Sequence, residues 1–330
     1  MASRAADNLR TYFRKATLPE MPRNPAAPAM PPTHHRSQHV SVQVGPQPWR
    51  QLDVVKDLED AWGASVDEMA ISWADDNLPG TSLGVDDLDS ETGDRFTVPC
   101  PPTFDIVPHS GRRPTDITRM VSWLDYLPLM SVQRALRLVF PDQTSRWAFS
   151  LGDDVENTDR KVFQYFIWSY SGPGAPMLCT PLGSIPRYPL VVAFQPPWIL
   201  SERDIVEFSE ARKFPSSDKA HNQLGRLNAS ERLWAKIWDT CVTNKTRWFV
   251  LTSYAHWVFG VFSEGWTIGF VSRVYPFNSS TPTILELLTF WTACAMRLPG
   301  WQSQPKVPER VTSGPPSVPA CPTESSSRPL

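Results

Sequence analysis

The chain reads as an α/β protein, a mixed central sheet flanked by helices, and three stretches predict it. Leu190–Phe194 is a wholly apolar run of strand length, the signature of a strand buried on both faces. RWFVLTSYAHWVFGVF (247–262) alternates so that Trp248, Val250, Thr252 and Tyr254 share one face and Phe249, Leu251 and Ser253 the other. Both faces are mostly apolar, so such a sheet needs a cover on each side. ASERLWAKIWDTCVTNK (229–245) and ILELLTFWTACAM (284–296) supply two helices, the second apolar nearly all round and therefore buried.

The chain has 330 residues, 41% of them hydrophobic, with 14 Trp. That is enough for a substantial core. The formal net charge of −2 argues against a general nucleic-acid or membrane-surface binder and leaves room only for local patches. No apolar run is long enough to span a membrane, and the N-terminus lacks the apolar centre of a secretory signal. Cys100, Cys179, Cys241, Cys294 and Cys321 are scattered, without a CxxC pair. They read as reduced thiols of an intracellular protein, cytoplasmic or nuclear, and predict no zinc site. MASRAADNLRTYFRKA mimics a mitochondrial presequence, but Asp7 and the prolines that follow favour a plain basic arm.

Residues 1–50 are rich in Pro, Ala and small polar residues, a composition that predicts a disordered tail. His34, His35 and His39 in it read as solvated rather than metal-binding. Residues 51–95 reverse sign, with thirteen Asp or Glu up to Asp94. A short amphipathic helix over 52–62 and a solvated acidic loop over 86–94 are predicted there, and the segment is a candidate protein-interaction element.

A single globular domain is expected over 96–299. Thr115-Asp116 is a candidate N-cap for a helix with Met120, Trp123, Leu124 and Leu127 as its stripe. Pro128 is expected to break it, and SVQRALRLVF to form a second helix. Strands follow at 145–151 and 161–170. After the central strand, Pro196-Pro197 stop the sheet, and Ser201 with Asp204 three residues on forms a capping-box analogue. PSSDKAHNQLGRLN (215–228) reads as a loop, and Ser230 as the next N-cap. WTIGFVSRVY is a further strand. The Pro/Ser/Thr-rich residues 300–330 read as a second disordered tail.

No P-loop, GxSxG elbow or cofactor motif occurs, so no cofactor is expected. From 248 to 272 there is neither Lys nor Arg, so the aromatic run is a core and not a base-stacking platform. His256 reads as a turn residue bonded locally. Cys241 and Cys294 sit on apolar helix faces as small hydrophobes.

The order helix (116–139), strands (146–151, 161–170, 189–194), helix (230–244), strand (247–253) is similar to the restriction-endonuclease-like core. That resemblance implies an acid on the second strand and an acid-x-Lys on the third, which together hold a divalent metal that activates water. Ala193 stands where the acid belongs and Gln195 where the lysine belongs, and KVFQYFIWSY carries no carboxylate. Asp153 and Asp154 in the preceding turn are the remaining acidic pair, with Glu202, Asp204 and Glu207 as further candidates. YPLVVAFQPPWILSERDIVEF, the stretch from ERLWAKIW to GFVS, and TILELLTFWTACAM resemble a family of uncharacterised proteins abundant in mushroom-forming fungi, over roughly 185–296. The arrangement is also similar to the nuclease-like module that precedes the kinase domain of fungal-type protein kinases, although no kinase motif occurs. What these resemblances imply is fold and origin. The expectation is a catalytically inactive, nuclease-like binding or scaffold domain of unknown partner. The alternatives are a metal-dependent nuclease with a migrated active site and an interaction module built on the acidic segment.

Overall fold

The computed structural model describes residues 8–38, 42–44, 50–81, 112–152, 159–172, 179–180, 183–184, 189–215 and 227–309. Its centre is an eight-stranded mixed sheet made of β1 (Val54–Asp57), β2 (Trp147–Leu151), β3 (Gln164–Tyr170), β6 (Leu190–Phe194), β7 (Trp248–Thr252), β8 (His256–Phe262), β9 (Ile268–Val271) and β10 (Tyr275–Pro276). The order across the sheet is β1-β9-β8-β7-β6-β3-β2, with β10 added beside β8. A separate two-residue ladder joins β4 (Cys179–Thr180) to β5 (Gly183–Ser184).

β2, β3 and β6 form an antiparallel meander, and β6 then pairs in parallel with β7, Val192 opposite Val250. The parallel pair requires a crossover, and α7 (Glu202–Ser209) and α8 (Ala229–Thr243) provide it. These helices cover the face carrying Val191, Ala193, Phe249, Leu251 and Val258. The opposite face, with Leu190, Val192, Trp248 and Val250, packs against α3 (Val66–Asn77), α4 (Ile117–Leu124), α5 (Met130–Val139) and α9 (Ile284–Met296). Every side chain of β6 and β7 is buried. The two-sided reading of the hairpin is what the structure shows.

The caps follow local chemistry. Ser201 and Asp204 form a full capping box on α7. On α8 the cap is Asn228 rather than Ser230, because Asn228 accepts from the Glu231 amide while the Glu231 carboxylate reaches back to the Asn228 amide. Ser230 Oγ instead donates to the Glu207 carbonyl at 3.1 Å and ties α8 to α7. Pro128 does not break its helix. A π turn over Asp125–Leu129, in which Met130 N–H reaches Asp125 O, absorbs the missing donor and joins α4 to α5.

The largest correction lies at the N-terminal side. Residues 9–18 are not a free arm. α1 (Leu9–Lys15) places Leu9, Tyr12 and Phe13 on one buried stripe, and Ala16 and Leu18 continue it. Thr283 Oγ1 donates to the Phe13 carbonyl at 2.6 Å, and Arg10 Nε to that of Leu78 at 3.0 Å. Burying a Leu or Phe side chain is worth about 1.5–3 kcal/mol. The i, i+3, i+4 spacing therefore outweighs the proline-rich average of the surrounding segment.

The acidic segment is corrected in the same way. The helix expected over 52–62 is only its second half: residues 54–57 form β1, parallel to β9, and α2 (Leu58–Trp62) starts at the Asp57 cap. Ala70, Trp73 and Ala74 of α3 pack inward, and Trp73 Nε1 donates to Pro299 O at 2.9 Å. Asp67 and Asp75 pair with Arg273 and Arg14. A thirteen-carboxylate average thus hid two elements whose apolar faces belong to the body, and the globular part begins well before residue 96. Residues 300–309 also lie against the body: Trp62 Nε1 donates to Ser303 O at 2.9 Å. The loop predicted at 86–94, most of that at 215–228, and residues 1–7, 39–41, 45–49 and 310–330 of the two tails lie outside the described residues. Among the described residues no helix is long and apolar enough to cross a membrane.

Candidate functional site

In open α/β sheets ligands gather at the carboxyl ends of parallel strands, here the ends of β6 and β7. β6 runs into Gln195, whose amide N–H donates to Thr252 O at 3.1 Å and extends the ladder by one rung. Pro196-Pro197 then forbid further pairing. A single turn over 196–200 delivers Ser201 to the start of α7. β7 ends in Ser253, whose N–H donates to His256 O at 3.1 Å, and the chain turns through Tyr254 into β8.

That turn is strained and held. Tyr254 adopts φ of 68°, a left-handed conformation unusual for an aromatic residue. Thr252 Oγ1 donates to His256 O at 2.9 Å and accepts from Tyr254 N–H at 2.8 Å. Tyr254 Oη donates to Pro19 O at 2.8 Å, and its ring meets Trp123 edge-on at 5.3 Å. Burial pushes the Tyr254 phenol well above its ordinary range, so it serves as a neutral donor.

The pleat places Ala193, Gln195, Leu251, Ser253, His256 and Val258 toward α7. Ala193 is fully buried, opposite Tyr165 on β3 and Leu251 on β7. Gln195 is 3% exposed, and its Nε2 donates to Val162 O at 2.9 Å. The amide at the lysine position therefore bridges two backbone segments and does not point into an open site. Ser253 is fully buried with a hydroxyl that has no hydrogen-bond partner among the described residues. His256 is half-buried; burial lowers its pKa, against the opposing pull of Glu202, so the ring is neutral at pH 7. His256 is the first residue of β8 rather than a turn residue between strands, and its carbonyl takes both the Thr252 and the Ser253 donors.

The three α7 carboxylates do not converge. Asp204 Oδ2 accepts from Ser201 Oγ at 2.6 Å and from Ser37 N–H at 3.0 Å. Glu207 takes Arg203 Nε at 2.7 Å and Arg36 Nε at 3.0 Å. Burial pushes Glu207 up, but the two guanidiniums outweigh it and hold the carboxyl below its ordinary value. Glu202, on the first turn of α7, lies on the His256 side. Asp153 and Asp154 lie outside the described residues, as does His39. Among the described residues no group of three or more His, Cys, Asp or Glu could hold a metal ion.

Residues 36–37 are the part of this region that sequence reading missed. Ser37 Oγ donates to Trp198 O at 2.6 Å while Arg36 spans to Glu207, so the N-terminal segment crosses the start of α7. Arg36 and Ser37 sit in a polar run with no periodicity, and their partners lie more than 160 residues away, so no local signal marks the contact. Cys241 and Cys294 are fully buried, and burial raises both thiols, which leaves them un-ionised. No known protein family, curated protein or solved structure matches the chain.

Proposed function

We propose that the chain is a binding or scaffold domain with a nuclease-like core that carries no nuclease chemistry at its central strand. The observation that carries this reading is Gln195. Metal-dependent hydrolysis needs clustered oxygen ligands and a cation at the carboxyl end of that strand. Here the amide of Gln195 is buried and bonded to Val162 O, and Ala193 lies against Tyr165 and Leu251. The antiparallel meander β2–β3–β6 followed by a helical crossover to parallel β7 supports the comparison with the restriction-endonuclease-like core. Kinship with the family of mushroom-forming fungi belongs to the same proposal and rests on the PPW, FVLTSY and WVFG stretches.

The test is cleavage. Purified protein incubated with single- and double-stranded DNA and RNA in Mg²⁺ or Mn²⁺ is expected to leave all substrates intact. Cleavage that disappears in the double variant Asp153→Ala/Asp154→Ala would put the active site in the 151–154 turn and replace this reading with that of a nuclease.

A further inference from the structure

A pocket of about 500 Å³ opens where residues 22–28 cross the chain just before α4. The crossing is built on Arg113. Its N–H donates to Pro22 O at 3.0 Å, its Nη2 to Pro28 O at 2.7 Å, and its carbonyl accepts Asn24 Nδ2 at 2.6 Å. Arg112, Arg113 and Arg119 line the cavity together with Ser122 and Trp123.

The charge there is unbalanced. Arg112 makes no hydrogen bond or ion pair among the described residues, and Arg113 Nε is buried without an acceptor. Arg119 meets only Asp116, at 3.6 Å between exposed side chains, an arrangement worth little in water. Asp116 is already committed, because its carboxylate caps α4 through Arg119 N–H at 3.0 Å and accepts from Thr115 Oγ1 at 3.0 Å. Burial and the nearby Arg23 both lower the Arg113 pKa, the mark of a cation in want of a counter-charge. Three arginines thus line the pocket, with Arg23 within electrostatic range of Arg113, in a chain whose net charge is −2.

We propose that this pocket is a binding site for a small phosphate-bearing molecule, with Arg112, Arg113 Nη1 and Arg119 on the phosphate oxygens and Ser122 Oγ as a further donor. Guanidinium forks match a multiply charged tetrahedral anion better than they match one planar carboxylate, which a single arginine would satisfy. The site is concave and of small-molecule size. The overall negative charge disfavours a long polyanion running beyond it. This inference rests on the binding-domain reading and names its ligand class.

The test is calorimetric titration of the full chain with pyrophosphate, against citrate as a carboxylate control and a short single-stranded oligonucleotide. Saturable binding of pyrophosphate at one site per chain is expected, with weaker binding of citrate and of the oligonucleotide. Arg112→Ala and Arg119→Ala, both exposed side chains, should each weaken it about tenfold, the size of one lost charge-assisted hydrogen bond. Arg212→Ala, an exposed arginine on the α7 side, should leave it unchanged. Absence of saturable pyrophosphate binding, equal loss in Arg212→Ala, or tighter binding of citrate or of the oligonucleotide would each overturn the assignment. Cleavage of nucleic acid in the assay above would overturn the binding-domain reading while leaving the calorimetry intact, so the two failures are told apart.

Discussion

Gly260 shows how little slack the sheet has at the level of single residues. A Cβ there would sit 2.1 Å from Phe249 Cζ, its partner in register across β7 and β8. Gly260→Ala should therefore cost about 1–3 kcal/mol through overpacking, read as a lower midpoint in urea with an unchanged m-value. Trp291 is the reciprocal case. It is fully buried, meets Trp62, Trp248 and Phe259 edge-on, and donates from Nε1 to Phe249 O at 3.1 Å. Trp291→Ala should lose about 3–5 kcal/mol. Full stability in either variant would contradict the packing described.

Glu309 is a residue-scale feature with a pH signature. Its carboxylate accepts from Ser263 Oγ at 2.7 Å, Thr267 Oγ1 at 2.6 Å and Gly265 N–H. Burial pushes it up, but these donors overrule burial and hold it below the ordinary carboxylate range. A depressed folded pKa contributes stability that is present above the unfolded value of about 4.3 and is lost as pH falls through the folded value. Glu309→Gln should cost about 1 kcal/mol at pH 7, allowing for solvent screening of a partly exposed group. The difference from wild type should vanish on acidification below the carboxylate range. A difference that persists in acid would show that the three donors do not select the charged form.

At the scale of elements, periodicity was the reliable guide and average composition was not. β6, β7, β8, α8 and α9 were legible because their apolar residues recur with the spacing of a buried strand or helix. α1 and α3 were missed because five to eight informative residues lay inside proline-rich or acidic surroundings. Leu9, Tyr12 and Phe13, and Ala70, Trp73 and Ala74, carry the i, i+3, i+4 signal all the same. Deleting residues 1–20 removes the α1 stripe and the Pro19 acceptor of Tyr254, so it should lower the thermal midpoint by several degrees or leave the chain insoluble. An unchanged midpoint with unchanged proteolysis of residues 50–81 would restore the free arm.

For the whole molecule, the carboxyl ends of the central strands and the arginine-lined pocket are separate places. At the carboxyl end of β6, Ala193 packs, Gln195 bridges backbone, and Asp204 and Glu207 of α7 bind Ser37, Arg36 and Arg203. That the central strand puts neither a carboxylate nor a lysine at positions 193 and 195 was legible in the sequence. The arginine pocket was not, because Arg112 and Arg113 stand in a short loop, and only the fold brings residues 22–28 across them. The proposed function requires that no divalent-metal centre forms at the carboxyl ends of β6 and β7. Manganese titration followed by electron paramagnetic resonance reads this, since the six-line spectrum of the free ion is lost on binding. Free-ion signal in proportion to added Mn²⁺, with wild type and Asp153→Ala/Asp154→Ala alike, is the expected result. Stoichiometric loss of signal in the wild type that the double variant abolishes would contradict it.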